Sequence, residues 1–157
     1  MGGDFPHRWR QARDAVLAMK ALWTQEEAEY HGPYYDFPPL RSFPQPAQKP
    51  HPPVYIGGKA RNAFKRIVQW GDGWMPNRTS AEEIRNGRNT LDELAEAAGR
   101  EPSSIDILAF GHAGYVKHRE QVLELREAGA DRVTIWLEQI EGDRALAEME
   151  EIARQVL

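Results

Sequence analysis

Two glycines after a short apolar run are the residues of this sequence that most directly predict chemistry. Residues 54–56 have the pattern of a buried strand, Gly57 and Gly58 follow them, and a helical pattern begins at Lys59. Glycine lets the backbone approach an anion closely, and a helix N-terminus supplies free N–H groups and a favourable dipole. This spacing predicts a phosphate-binding turn, and an ordinary strand-to-helix turn is the alternative.

Polar and aromatic residues extend this prediction. Two cations and an amide in the first helical turn could reach the same phosphate, and solvated side chains at a helix start are the alternative. Trp74 ends the next predicted strand, either as an aromatic wall beside a ring-shaped ligand or as a core tryptophan. The predicted cofactor-binding residues are Gly57, Gly58, Lys59, Arg61, Asn62 and Trp74.

Other reactive groups give weaker signals, and no catalytic residue is assigned. His112 follows a predicted strand and could exchange a proton near neutral pH, but an ordinary loop histidine is favoured. Asp72 is interpreted as a residue that turns the chain after Gly71 rather than as a base. The five histidines show no metal-ligand spacing and cysteine is absent, so no metal site is predicted.

The elements before the glycines are a helix and a long loop. An apolar stripe over residues 8–24 predicts an amphipathic helix. Residues 25–53 hold eight of the eleven prolines together with several aromatic residues. A loop of this length is uncommon, and its aromatic content predicts packing over a barrel or sheet.

From residue 54 onward, strands and helices are predicted to alternate. Either Thr79 with Glu82 or Ser80 with Glu83 can form a capping box at the start of the second helix. Four βα units require a parallel sheet, doubly wound or part of a barrel. The predicted strands are 54–56, 73–75, 105–110 and 132–137, and the helices are 59–70, 80–98, 118–128 and 143–156.

Length and composition set further limits. A chain of 157 residues fits one domain with its own core. The net charge of −4 gives no electrostatic footprint for nucleic acid. Because no apolar run has the length of a membrane span and no signal peptide is evident, a cytoplasmic protein without membrane contact is expected.

Several motifs in this order resemble the luciferase-like monooxygenase family of flavin- and deazaflavin-dependent oxidoreductases. The resemblance covers nearly the whole chain and is closest to the branch that uses coenzyme F-420, a deazaflavin. The motifs that carry it are Met-Lys-Ala-Leu-Trp-Thr at 19–24, Tyr-His-Gly-Pro-Tyr-Tyr at 30–35, Phe-Pro-Gln-Pro-Ala-Gln-Lys-Pro at 43–50, Pro-Val-Tyr-Ile-Gly-Gly at 53–58, Gly-Asp-Gly-Trp-Met-Pro at 71–76, Ala-Gly-Arg at 98–100 and Ala-Gly-Ala-Asp-Arg-Val at 128–133.

The resemblance implies the second half of a TIM-type (β/α)8 barrel, since a complete barrel needs roughly 250 residues. It also implies contact of Gly57 and Gly58 with the phosphate or ribityl chain of coenzyme F-420, or alternatively of FMN. The implied activity is hydride transfer or monooxygenation of a small organic substrate. The family's acid and base groups come from the first half of the barrel, so a fragment of the full enzyme is expected.

Two other interpretations remain open. The chain could be a non-catalytic half-barrel that binds a cofactor or dimerises, or a fragment without function. Unpaired strand edges and an uncovered inner face favour association. The expected partner is a second copy of the chain or a missing N-terminal half of the barrel.

Overall fold

The computed structural model describes residues 5–111, 114–138 and 141–156. The chain divides into two compact units, Met1–Pro53 and Val54–Leu157. The division falls where the first βα unit was predicted to begin. The expectation of one domain for the whole chain stays a prediction.

The first unit consists of a helix and a β-hairpin. Helix α1 spans Arg8–Thr24, as predicted, after a short 3-10 turn, Phe5–His7. Strands β1, Ala28–His31, and β2, Asp36–Leu40, pair antiparallel. The predicted loop is therefore wrong over these residues. The pairing is irregular where β2 carries its two prolines, and a two-stranded ribbon tolerates prolines at such a position because they need not donate to a ladder.

The side chain of Asp14 holds the hairpin turn against α1. Its carboxylate is buried and accepts hydrogen bonds from the Tyr30 hydroxyl at 2.6 Å and from the backbone N–H groups of Tyr34 and Tyr35 at 2.8 and 2.9 Å. Burial alone would raise the pKa of this carboxyl, but the three hydrogen bonds and the charge of Arg13 outweigh it and lower the pKa. The Asp14 carboxylate is thus ionised, and both of its oxygens accept hydrogen bonds within this unit.

The second unit is a parallel sheet of four strands in the order β3-β4-β5-β6, each joined to the next by a helix. These elements confirm the four predicted βα units. Strands β3 and β5 each begin one residue later than predicted, and β4 and β6 end one and three residues earlier. The strands are β3 Tyr55–Ile56, β4 Gly73–Trp74, β5 Asp106–Phe110 and β6 Arg132–Thr134, and the helices are α2 Arg61–Trp70, α3 Ala81–Ala97, α4 Arg119–Glu127 and α5 Gly142–Val156.

Only one face of this sheet is fully buried. Ile56, Trp74, Ile107 and Ala109 alternate along the strands and are at most 4% exposed. On the opposite face, Tyr55, Asp106, Leu108 and Phe110 are half-buried, and of the strand residues there only Gly73, which has no side chain, is buried. Because strand side chains alternate between faces, the core lies on the helix-covered side and the other side is incompletely covered. This asymmetry is expected for part of a barrel wall.

Side chains fix the start of α3 and the end of α2. Ser80 and Glu83 form the capping box of α3, which decides between the two predicted boxes. The guanidinium of Arg100 donates to the carbonyls of Ile67, Val68 and Gly71 at 2.8–3.1 Å. These bonds supply donor partners to carbonyls at the end of α2, where the helical hydrogen bonds run out.

Candidate functional site

The two predicted glycines lie in an exposed turn between β3 and α2. Gly58 has φ +101°, in the left-handed region that favours glycine. A Cβ at Gly57 would lie 3.5 Å from the Met75 carbonyl oxygen, at ordinary contact distance. The backbone therefore requires glycine at 58, whereas position 57 has room for a methyl group within the protein.

The start of α2 carries hydrogen-bond donors without acceptors. No side chain caps this helix at Ala60. Within the described residues, no acceptor is found for the backbone N–H groups of Arg61 and Asn62, and the Arg61 guanidinium, which is exposed, has no hydrogen bond or ion pair. In contrast, the N-terminus of α3 is closed by its capping box. We call residues 57–62 the glycine turn.

The ammonium group of Lys59 is already engaged with the protein. Its Nζ donates to Glu83 Oε1 at 2.8 Å and to the Arg78 carbonyl at 3.2 Å. The sequence predicted that Lys59 contacts the phosphate, and that contact stays a prediction. Neither Glu83 nor Arg78 had been associated with this residue from the sequence, because 24 and 19 positions separate them from it.

Trp74 lies behind the glycine turn, in the core. It is 1% exposed, and its Nε1 donates to the Gly58 carbonyl at 2.7 Å. Its ring packs edge-on against Phe64, with centroids 5.0 Å apart. Of the two interpretations left open by the sequence, this placement favours the core tryptophan. The indole also holds the orientation of the Gly58 peptide.

A cavity of about 280 Å³ lies between α2 and α3 beside Trp74. This volume is just below the range of roughly 300–1,000 Å³ usual for ligand pockets. Four of its lining residues lie on one face of α3, at i, i+3, i+4 and i+7: Glu83, Asn86, Gly87 and Thr90. This helical spacing is visible in the sequence, but no site was predicted there. The lining residues are Lys59, Phe64, Trp74, Glu83, Asn86, Gly87 and Thr90.

The less covered face of the sheet carries a polar cluster near the start of its strands. The Tyr55 hydroxyl donates to Asp106 Oδ2 at 2.6 Å, and Arg132 forms an ion pair with the same oxygen at 3.2 Å. Burial first, and then the bond to Asp106, raise the pKa of Tyr55 to about 12. Gly73 permits this bridge, because a Cβ there would lie 2.4 Å from the Tyr55 ring.

The cluster lies at the opposite strand ends from the glycine turn. In barrels, the C-terminal ends of the strands carry the chemistry and the N-terminal ends contribute mainly stability. We therefore assign Tyr55, Asp106 and Arg132 a structural role.

Asp72 and His112, the other residues considered from the sequence, are not assigned to the glycine turn. Asp72 Oδ2 accepts from the Val54 N–H at 2.8 Å, which agrees with its interpretation as a structural residue. His112 lies outside the described residues. Among residues 5–111, 114–138 and 141–156, no three His, Asp or Glu side chains form a group that could hold a metal ion.

Fold and site together define a class: a parallel βα half-barrel with an uncapped glycine turn at the C-terminal edge of its sheet. The sequence matches the luciferase-like monooxygenase family over residues 1–156. The chain belongs to this family, as the resemblance predicted.

Relatives within the family use different cofactors. An FMNH(2)-dependent dimethylsulfone monooxygenase of Pseudomonas putida is 32% identical over 107 residues, covering 68% of this chain and 29% of the relative. A coenzyme F-420-dependent glucose-6-phosphate dehydrogenase of Mycolicibacterium gilvum is 26% identical over 123 residues, covering 77% of this chain and 36% of the relative. The chain thus spans about a third of the length of these two relatives.

A solved structure confirms the fold class. A coenzyme F-420-dependent secondary alcohol dehydrogenase, in complex with a cofactor–acetone adduct, superposes with a TM-score of 0.72 over 97% of this chain and 63% of its own, at 14% identity. The fold is that of a partial luciferase-like (β/α)8 barrel. Among the described residues, no helix combines the length and apolarity needed to cross a membrane.

Proposed function

We propose that this chain is the cofactor-anchoring half of a flavin- or deazaflavin-dependent oxidoreductase, and that the glycine turn binds the cofactor's phosphate. The observation that carries the proposal is the uncapped N-terminus of α2, directly after the left-handed Gly58. Anions bind favourably at such a terminus because free N–H groups and the helix dipole act together. Membership of a family whose relatives include FMNH(2)- and F-420-dependent enzymes supports this assignment.

The residues of the glycine turn fit a phosphate group chemically. The N–H groups of Arg61 and Asn62 and the guanidinium of Arg61 are all donors, and a phosphate presents only acceptors at neutral pH. The small Gly57 leaves the backbone accessible from solvent. Trp74 supports the turn from behind through the Gly58 carbonyl. The turn is therefore held in place before any ligand arrives.

The bound ring would supply hydride transfer or oxygen activation toward a small organic substrate. This chain's residues would anchor and orient the cofactor through its phosphate. We assign no proton donor or acceptor to the described residues at the C-terminal edge of the sheet. Coenzyme F-420 is the cofactor that the sequence motifs favour, and FMN is the alternative.

The open face of the sheet supports a proposal about assembly. Trp136 is 53% exposed and lies near the half-buried Phe110, with ring centroids 5.9 Å apart. We propose that this face is covered by an N-terminal half-barrel or by a second copy of the chain. A non-catalytic module that binds the cofactor or dimerises remains the second candidate function, and the open face is the observation that favours it. A cytoplasmic location is part of the proposal.

A titration followed by fluorescence polarisation tests the proposed site. Oxidised coenzyme F-420 and FMN are each titrated with the wild-type protein and with Arg61→Gln. We expect micromolar binding of one cofactor, weakened about tenfold by Arg61→Gln, because one charge-assisted bond to phosphate contributes roughly 1.5–3 kcal/mol.

Arg85→Gln is the matched control. This exposed arginine lies on α3 and makes no hydrogen bond or ion pair within the described residues. It carries the same charge change as Arg61→Gln. Equal losses in the two variants would indicate a general charge effect and would remove the proposed site.

A further inference from the structure

The loop after β4 is held in an unusual backbone conformation next to the glycine turn. Arg78 has φ +51°, which a residue with a side chain adopts only at a cost. Its N–H donates to the Phe110 carbonyl at 2.9 Å, and its own carbonyl accepts from Lys59 Nζ at 3.2 Å. The Arg78 residue is thus fixed on one side by β5 and on the other by the glycine turn.

Glu83 connects the same lysine to α3. Its Oε1 accepts from Lys59 Nζ at 2.8 Å, and its Oε2 accepts from the Ser80 N–H at 3.0 Å. The hydrogen bond from Lys59, followed by that from Ser80, lowers the pKa of the Glu83 carboxyl. Glu83 is therefore ionised at neutral pH and binds the lysine and the helix N-terminus with different oxygens.

From these contacts we infer that Lys59 is a positioning residue rather than a ligand of the phosphate. Its hydrogen bonds connect the glycine turn to the loop after β4 and to α3. The inference rests on the proposed function of the glycine turn. The Trp74 indole holds the Gly58 carbonyl from the core, and Glu83 and the Arg78 carbonyl hold the side chain of the next residue, Lys59, at the surface. The turn is fixed at two consecutive residues, and the free N–H groups of α2 follow directly.

The effect of Glu83→Gln on cofactor affinity distinguishes the two roles of Lys59. If Lys59 were a phosphate ligand, loss of the carboxylate would release its ammonium and remove a negative charge near the anion, so binding would tighten. If Lys59 positions the turn, binding weakens. We expect Glu83→Gln and Lys59→Met each to weaken binding of FMN or oxidised coenzyme F-420 about three- to tenfold.

The double variant and the salt dependence give two further readouts. Residues that act through one contact are not additive, so Lys59→Met with Glu83→Gln should bind no more weakly than Lys59→Met alone. Salt screens attraction between exposed charges, so losing a direct phosphate ligand would flatten the dependence of affinity on ionic strength. We expect Lys59→Met to keep the wild-type dependence.

Ser80→Ala is the structural control. This variant removes the hydroxyl that caps α3 and leaves both partners of Lys59 in place. We expect a lower Tm with unchanged cofactor affinity. A loss of affinity equal to that of Lys59→Met would mean that any weakening of α3 affects the site, and would overturn the inference.

Amide hydrogen exchange of the cofactor-free protein tests, without any ligand, whether the hydrogen bonds of Lys59 hold the glycine turn in place. The amides of residues 58–62 and 77–79 should exchange faster in Lys59→Met and in Glu83→Gln than in wild type, and at the wild-type rate in Ser80→Ala. Unchanged exchange in Lys59→Met, or tighter binding by Glu83→Gln, would overturn the inference. If wild type bound neither cofactor, the proposed function and the role toward phosphate would fall, while exchange would still decide whether Lys59 holds the turn.

Discussion

Gly57 and Gly58 are adjacent, but the backbone constrains them differently. Gly58 has φ +101°, whereas Gly57 lies outside the positive-φ region and has room for a methyl group. A bulky residue at 58 would disturb the turn itself, because its backbone conformation is strained for any L side chain. A substitution at position 57 therefore tests the approach of the ligand without straining the backbone.

Alanine at each glycine should separate folding from binding. Gly57→Ala should change the free energy of unfolding by less than about 0.5 kcal/mol while weakening cofactor binding, because its methyl group occupies space that the phosphate needs. Gly58→Ala should lose roughly 1–2 kcal/mol of stability from left-handed backbone strain. Urea unfolding measures both variants. Unchanged cofactor affinity in Gly57→Ala would show that the phosphate does not approach there.

The lowered pKa of Asp14 predicts how acid affects the stability of the first unit. Its folded-state pKa lies below the ordinary value of 3.8, so its stabilising contribution is complete above that value and is lost as the pH falls through the folded pKa. Asp14→Asn leaves N–H and hydroxyl donors without a charged acceptor and should cost about 2 kcal/mol at neutral pH.

Near-UV dichroism of the tyrosines between about pH 6 and pH 2 measures this effect. The tyrosine signal of wild type should fall at the acid end of this range, as Asp14 becomes protonated. Asp14→Asn should lack this part of the pH dependence. Glu27→Gln, a change at an exposed carboxylate that makes no hydrogen bond or ion pair within the described residues, serves as the control. Equal stability of wild type and Asp14→Asn at neutral pH would contradict the role of this residue.

At the level of elements, packing between α3 and the sheet gives a further prediction. An added Cβ at Gly87 would lie 2.2 Å from the buried ring of Trp74. Alanine would otherwise favour the helix by about 1 kcal/mol. Because the Trp74 ring is confined, overpacking should dominate, and Gly87→Ala should destabilise the second unit by roughly 1–3 kcal/mol.

Thermal unfolding with Trp fluorescence measures this effect. Asn86→Ala, an exposed position beside Gly87 on the same helix, is the control and should not lower the Tm. A stabilised Gly87→Ala protein would mean that Trp74 moves freely. That result would also weaken its role behind the glycine turn.

The sequence predicted some elements well and others poorly, for physical reasons. Helix α1 matched its predicted bounds because its apolar residues repeat at helical spacing. The hairpin was missed because Pro38 and Pro39 normally argue against a strand. The contacts of Lys59 were missed because hydrogen bonds to positions 78 and 83 depend on how two loops meet at a sheet edge, and no local pattern encodes that.

At the level of the whole molecule, alternation of strands and helices was sufficient to predict the parallel sheet and the partial barrel. The choice of cofactor could not be predicted in this way, because a phosphate-binding turn contacts a group that FMN and coenzyme F-420 share. The two cofactors differ in their rings, and we assign no ring-contacting residue to the described part of this chain. In the proposed assembly, residues of the covering half-barrel would meet the open face beside Trp136.

The central claim, that the glycine turn binds the cofactor through its phosphate, is tested most directly with a pair of ligands. Wild-type protein is titrated with two such pairs of ligands. The first pair is FMN and riboflavin, and the second is coenzyme F-420 and the corresponding deazaflavin that carries the ribityl chain without the phosphate. We predict that removing the phosphate weakens binding of the preferred cofactor at least tenfold, and that Arg61→Gln abolishes most of that difference. Equal affinity for the phosphorylated and unphosphorylated forms would contradict the claim.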